Sequence, residues 1–234
     1  MPLCDVPAPM PAPVTSATPA RILVVDDHPV FRRGIMAMLT EEEDFTICGE
    51  ADNAPAALNA MRQLAPDLVL LDIYMPPYTN GIELIKLMLA EQPKIKIIML
   101  SMHDETLYAL RSLRAGAKGY VMKAEALTQV TEAIRKVMAG GIYVSPRYTE
   151  RLIFKVIQSD GADAESPVAQ LSDRELEIFQ LIGKGSATRD IAASLHLSIK
   201  TVETHRAHIK EKLGLKDASE LVRFAMEWSS QQQV

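Results

Sequence analysis

Asp26 and Asp27 follow the aliphatic run 22–25, Asp72 follows 68–71, Ser101 follows 97–100 and Lys123 follows 119–122. If these runs are strands of one open parallel sheet, the residues after them share the crevice at its carboxyl edge. Strands 1 and 3 are neighbours in a flavodoxin-like order, which brings Asp26, Asp27 and Asp72 together. Three carboxylates meeting there repel one another unless a cation lies among them, and hard oxygen donors of this kind suit Mg2+. Taken alone, Asp26 and Asp27 are read equally well as caps of the following helix. Ser101 and Lys123 favour the site: Mg2+ and Lys123 would balance negative charge, Ser101 would donate a hydrogen bond, and Asp72 would act as a carboxylate nucleophile. His28, beside the acidic pair, and His103, beyond Ser101, are by position loop or cap residues in the first instance.

The elements that must position these groups are legible as alternating runs. Strands are expected at 22–25, 46–50, 68–71, 97–100 and 119–122, separated by segments with apolar residues at helical spacing, such as Leu107, Leu110 and Leu113 or Leu127, Val130, Ile134 and Val137. Strands apolar on both faces need helices on both sides, so residues 21–144 are assigned a doubly wound α/β domain with a five-stranded parallel sheet. A connecting helix is expected at 145–158, and the small, acidic, Pro-interrupted stretch 159–168 reads as a linker. A second, all-α domain of four helices follows over 169–228, with a tail at 229–234. Its first helix opens on the capping box Ser172-Asp173-Arg174-Glu175. Residues 190–195, a turn at His196-Leu197, and a longer helix capped by Ser198 have helix-turn-helix proportions. On the outer face of that longer helix, Lys200, Arg206, Lys210 and Lys212 are placed to reach phosphates. Glu203, Thr204 and Ala207 lie where a recognition helix meets base edges, with His208 beside them. Periodicity alone fits an ordinary helical interaction module at least as well.

Composition excludes several classes. With 48% hydrophobic, 24% charged and 5% aromatic residues the chain is globular rather than disordered or fibrous. No apolar run approaches the roughly 18 residues that a membrane span needs. Residues 1–20 lack Lys and Arg and are broken by prolines, so they read as an extended leader rather than a signal peptide. Two cysteines, Cys4 and Cys48, make no disulfide framework, which points to a reducing, cytoplasmic setting. The net charge of −5 lies outside the C-terminal helices, where nine Lys or Arg match nine Asp or Glu over 168–228. Charge by itself therefore makes no case for nucleic acid.

Through ILVVDDHPVFRRG, LVLLDIYMP, MLSMHD and GAKGYVMK, in that order and spacing, residues 21–144 resemble a response-regulator receiver domain. The resemblance implies that Asp72 is the phosphoacceptor and that Asp26, Asp27, Asp72 and the backbone carbonyl of Tyr74 hold Mg2+. It implies further that Ser101 and Lys123 bind the phosphoryl group, and that Tyr120 is the aromatic which changes rotamer with Ser101. Two departures are visible. Gly81 stands nine residues after Asp72 where receivers usually have it eight away, and Ala124 replaces a common proline. Aspartate-based phosphatases share this chemistry but carry a second acid two residues after the nucleophile. Tyr74 stands there, so stoichiometric transfer and slow hydrolysis are expected in place of enzymatic turnover.

The string LSDRELEIFQLIGKGSATRDIAASLHLSIKTVETHRAHIKEKLGLKDASELVRFA closely resembles the LuxR-type DNA-binding domain. With a receiver in front, the whole chain is similar to NarL/FixJ-type transcriptional response regulators. That implies phosphorylation of Asp72 by a sensor histidine kinase and binding of double-stranded promoter DNA through Lys200, Thr201, Glu203, Thr204, Arg206, Ala207, His208 and Lys210. It also implies an active homodimer paired through Leu221, Val222 and Met226, with RNA polymerase as a candidate further partner. Ala187 stands where the family has a Ser or Thr cap, and Thr188 is expected to serve instead. A module acting without phosphorylation is the alternative that the intact set of Asp26, Asp27, Asp72, Ser101 and Lys123 weighs against.

Overall fold

The computed structural model describes residues 18–75, 79–102, 105–158 and 167–231. Most of the leader, His103, most of the linker and the end of the tail lie outside them. The first domain runs β1 (Ala20–Val25), α1 (Pro29–Thr40), β2 (Phe45–Ala51), α2 (Ala54–Leu64), β3 (Leu68–Asp72), β4 (Tyr74–Met75), β5 (Thr79–Asn80), α3 (Gly81–Glu91), β6 (Lys96–Ser101), α4 (Glu105–Ala115), β7 (Gly119–Met122) and α5 (Ala126–Met138). Five strands form the parallel sheet in the order β2-β1-β3-β6-β7. Side chains alternate along a strand, so each strand feeds two cores. Leu23, Val25, Val69, Leu71, Ile97 and Met99 pack beneath α2, α3 and α4, against residues such as Met61, Ile85 and Tyr108. Ile22, Val24, Leu68, Leu70, Ile98 and Leu100 pack beneath α1 and α5, against Ile35, Leu39, Val130 and Ile134. This is the expected doubly wound layering.

The antiparallel pair β4–β5, which joins Tyr74 to Asn80 and Met75 to Thr79, was not expected from the sequence. Two residues are too short a run for any periodicity. Immediately after it, the Gly81 N–H donates to the Ile73 carbonyl at 2.7 Å. A Cβ at Gly81 would lie 2.5 Å from the Asp72 carbonyl oxygen, so only glycine closes this loop onto the end of β3.

The connecting helix α6 (Pro146–Gln158) leads to a short 3-10 turn (Pro167–Gln170) and then α7 (Asp173–Gly183), α8 (Thr188–Ser194), α9 (Ile199–Leu213) and α10 (Ala218–Gln231). Ser172 and Glu175 complete the expected capping box on α7. Ser198 caps α9 through the Thr201 N–H, and Gly214 closes it in the left-handed region at φ 66°. The Thr188 expectation is corrected: Ala187 is the cap position of α8 and makes no side-chain cap, while the Thr188 hydroxyl, inside the first turn, donates to Glu203 Oε1 at 2.9 Å. Phe179, Leu176, Ile191, Val202, Ile209, Leu221 and Ala225 form the core of this domain, with Phe224 and Trp228 against the Phe179 ring at 5.8 and 5.5 Å.

Candidate phosphorylation site and nucleic-acid interface

The sheet register assembles the acidic site. Asp26 leaves the end of β1, and its neighbour β3 ends at Asp72, which pairs with Leu100 of β6; Ser101 in turn pairs with Met122, one residue before Lys123. Asp26 and Ser101 are fully buried, with Asp72 at 2% and Lys123 at 5% exposure. The Lys123 ammonium bridges two carboxylates, 2.6 Å from Asp72 Oδ2 and 2.7 Å from Asp26 Oδ2, and lies 4.8 Å from the centre of the Phe31 ring. Burying so much charge is costly unless it is paired, and Lys123 supplies the pairing. Arg32 fixes the start of the loop by donating to the Asp26 carbonyl at 2.6 Å.

Asp27 is the more exposed acid. Its Oδ1 is nevertheless buried and accepts no hydrogen bond. Asp26, Asp27, His28 and Asp72 each offer one donor atom, all within 4.8 Å of one another. Three carboxylates and a ring nitrogen brought this close fit a divalent cation, as the sequence suggests. His28, set aside as a cap, is indeed the cap position of α1, but its side chain does not cap the helix; its ring turns into the acidic site. Tyr74 lies in the β4–β5 pair two residues beyond Asp72.

Tyr120 is fully buried and belongs to the same apolar cluster as Tyr108 and Tyr148. That cluster leads out of the first domain along α4. Buried Glu105 accepts from the Ser145 backbone N–H at 2.7 Å and from the Ser145 hydroxyl, at the start of α6. One turn on, the Tyr108 hydroxyl donates to Gln180 Oε1 of α7 at 3.0 Å. Another turn on, Arg111 donates to the carbonyls of Leu171 and Val168 at 2.7 and 3.2 Å and to Asp173 Oδ1 at 2.9 Å. Positions three apart share a helix face, so one side of α4 holds the connecting helix and the second domain together. Burial, with a contribution from the nearby Glu177 carboxylate, pushes the Tyr108 hydroxyl well above the usual tyrosine range. Burial likewise raises Glu177, against the pull of Arg174.

On α9, Lys200, Glu203, Thr204, Ala207 and His208 are exposed, while Thr201, Arg206 and Lys210 are partly so. Val202 and Ile209 anchor the opposite face in the core. The outer face therefore remains open to a partner while α7 is docked on α4. The Lys212 ammonium pairs with Glu175 Oε2 at 2.6 Å and supports the capping box. Leu221 is corrected. It is fully buried in its own domain, so of the three residues expected to pair copies, Val222 and Met226 reach the surface, where they line a groove with Arg206, Ala218, Ser219, Arg223 and Glu227.

Comparison with known proteins matches this arrangement in both halves. Residues 22–135 match the family model for the response regulator receiver domain, and residues 169–225 match the bacterial regulatory proteins of the luxR family. The oxygen regulatory protein NreC of Staphylococcus carnosus is 37% identical over 209 residues, covering 88% of this chain and 96% of that protein. The chain is a NarL/FixJ-type response regulator. Among solved structures, the RcsB response regulator of Salmonella typhimurium superimposes with a TM-score of 0.64 at 27% identity, over 90% of this regulator and 98% of RcsB. RcsB bound to promoter P1flhDC in the presence of the phosphomimetic BeF3− gives 0.62 at 26% identity, over 88% and 98%. Receiver and LuxR-type domains together make this regulator a DNA-binding two-component response regulator. Among its described residues, no helix is long and apolar enough to cross a membrane.

Sequence reasoning missed two structural features of the regulator. The turn of the His28 ring into the acidic site had no signal beyond its adjacency to the acids. The α4 contacts join residues 40 to 72 positions apart, beyond the reach of any local pattern.

Proposed function

We propose that Asp72 accepts a phosphoryl group from the phosphohistidine of a sensor kinase, and that its charge sets how the second domain engages promoter DNA. The observation that carries this reading is the buried Lys123 ammonium held between Asp72 and Asp26 at 2.6 and 2.7 Å. A lysine so placed binds the oxygens of an acyl phosphate formed on Asp72 without further rearrangement of the sheet. In the transfer, an Asp72 carboxylate oxygen attacks phosphorus, the new P–O bond forms as the P–N bond breaks, and the departing imidazole nitrogen keeps the electron pair. Asp26, Asp27 and Asp72, with the Tyr74 carbonyl, would hold Mg2+, which when bound would neutralise charge on the transferring oxygens. Ser101 donates its hydroxyl to the new phosphoryl oxygen. The domain thereby catalyses its own modification and slow hydrolysis, not turnover of a free substrate.

Ser101 lies just before α4, whose face carries Glu105, Tyr108 and Arg111. Drawing Ser101 toward the phosphoryl group shifts the start of that helix, and with it the hold on α6 and α7. The freed or re-oriented domains pair as a homodimer through Val222 and Met226 and read two half-sites of double-stranded promoter DNA, where RNA polymerase is the further partner, in the cytoplasm. Treating the full chain with acetyl phosphate and MgCl2 and measuring its intact mass tests the first step. The mass of one phosphoryl group is expected on the native chain and none on Asp72→Asn; an unmodified native chain overturns the reading.

A further inference from the structure

We propose that Arg32 is a positioning residue for the transfer: clamped by Glu50, its guanidinium sets the peptide between Asp26 and Asp27 and thereby the pocket's affinity for Mg2+. This rests on reading the acidic pocket as the Mg2+ site. The ladder between β1 and β2 ends at Val25 opposite Ala51, and the Asp26 N–H still reaches the Ala51 carbonyl at 3.0 Å. The Asp26 carbonyl lies beyond that ladder and accepts instead from Arg32 Nη1 at 2.6 Å. Arg32 Nε donates to Glu50 Oε2 at 2.5 Å, and Glu50 is the residue before Ala51. Two adjacent residues of β2 thus grip Asp26, Ala51 directly at the N–H and Glu50 at the carbonyl through the guanidinium.

What this grip fixes is a plane. A peptide unit is rigid, so the direction of the Asp26 carbonyl also sets the direction in which the chain enters Asp27. The Asp26 carboxylate has holds of its own: Oδ1 accepts from the His28 N–H at 2.8 Å, and Oδ2 lies 2.7 Å from Lys123 Nζ. The Asp27 carboxylate has the His28 ring at 2.6 Å, but that side chain is 56% exposed and lends a looser hold. Asp27 is therefore the acid whose aim depends most on its backbone, and Arg32 orients that backbone. Arg32 is itself well fixed. Its N–H donates to the His28 carbonyl at 3.0 Å as α1 opens, and its side chain is only 13% exposed. A guanidinium so shielded needs a partner, and Glu50 supplies one while offsetting a charge that would repel a nearby cation. Arginine suits the place because its planar fork spans two acceptors at once, where a lysine offers a single nitrogen.

The test measures Mg2+ binding to the full chain by calorimetry, and the rate of Asp72 phosphorylation by acetyl phosphate as MgCl2 is raised. In Arg32→Ala the Mg2+ affinity is expected to fall about 10-fold, the lower range for removing the support behind a metal's ligands. The half-saturating MgCl2 concentration should rise by the same factor, with the maximal rate unchanged. Glu50→Ala is expected to shift affinity in the same direction, and the double variant no further than Arg32→Ala alone, because the two residues act as one clamp. Glu50 is half exposed, so this variant carries the test by itself if Arg32→Ala fails to fold. Tighter Mg2+ binding in Arg32→Ala would mean that the guanidinium acts by repulsion and not by orientation, and overturns the proposal. An unchanged Mg2+ affinity, with or without a lower Tm in EDTA, leaves Arg32 a structural residue only and overturns it too. In both cases the Mg2+ site itself stands. A native chain that binds no Mg2+ overturns the proposal together with the site reading beneath it.

Discussion

Lys123 is almost fully buried, and its contacts with Asp72 and Asp26 are charge-assisted. Removing its charge leaves carboxylates facing one another without water, the case in which a broken buried pair costs about 3 to 5 kcal/mol. Lys123→Met is therefore expected to melt well below the native chain in EDTA. Because a divalent ion can take over part of the compensation, MgCl2 is expected to raise the variant's Tm more than the native one. Equal melting in EDTA would show that the pair contributes no stability. Glu175 offers a second residue-scale test. Burial by itself would raise its carboxyl, but the Lys212 ammonium at 2.6 Å and the Ser172 N–H at 2.7 Å hold it below the ordinary 4.5. A lowered folded value means the stabilisation is complete above pH 4.5 and disappears as pH falls through the folded value. Glu175→Gln is expected to lose about 1 kcal/mol at pH 7, the size of a helix cap. Chemical denaturation at descending pH should bring the two stability curves together below 4.5.

At the scale of elements, two features decide whether the acidic site is coupled to anything. Gly81 lets α3 begin against the end of β3, where a Cβ would meet the Asp72 carbonyl at 2.5 Å and Ile73 Cα at 2.7 Å. Backbone cannot yield as a side chain does, so Gly81→Ala is expected to cost about 1 to 3 kcal/mol, as overpacking does. It should also slow Asp72 phosphorylation by acetyl phosphate, since the displaced atoms belong to the acceptor residue. A variant of native Tm would show that the hairpin simply opens. The other feature is α4. Arg111 satisfies the carbonyls of Val168 and Leu171 and the Asp173 carboxylate, at the entry to the second domain, so Arg111→Ala strips that dock of three hydrogen bonds. Its radius of gyration in solution scattering is expected to exceed that of the native chain, with the Tm of the receiver unchanged. Identical scattering profiles would mean that Tyr108 and Glu105 suffice to hold the domains.

For the molecule as a whole, the sequence makes some layers plain and leaves others hidden for physical reasons. Strands buried on both faces write themselves as aliphatic runs, and the acids, hydroxyl and lysine at their ends were legible because the sheet's handedness leaves them one place to meet. The α4 dock was hidden because Tyr108 and Arg111 each offer a polar end that solvent would satisfy equally well. Leu221 was misplaced because the apolar stripe of α10 serves core and surface at once, and periodicity does not separate the two. The pairing of Lys212 with Glu175 was hidden for the converse reason, since a cation on an outer face gives no sign of its partner. This pairing yields a test of how the whole regulator meets DNA. The C-terminal helices are electrically neutral overall, so phosphate contact must come from particular cations rather than from a general field. Lys200 is exposed and Lys210 partly so on the open face of α9. In anisotropy titrations over a range of KCl, Lys200→Ala and Lys210→Ala are each expected to reduce the salt slope by about 1 and to weaken all sequences alike. Lys212→Ala is expected to leave that slope unchanged while lowering the domain's Tm. A Lys212 variant with a reduced slope and native Tm would return that residue to the phosphate backbone and displace Glu175 as its partner.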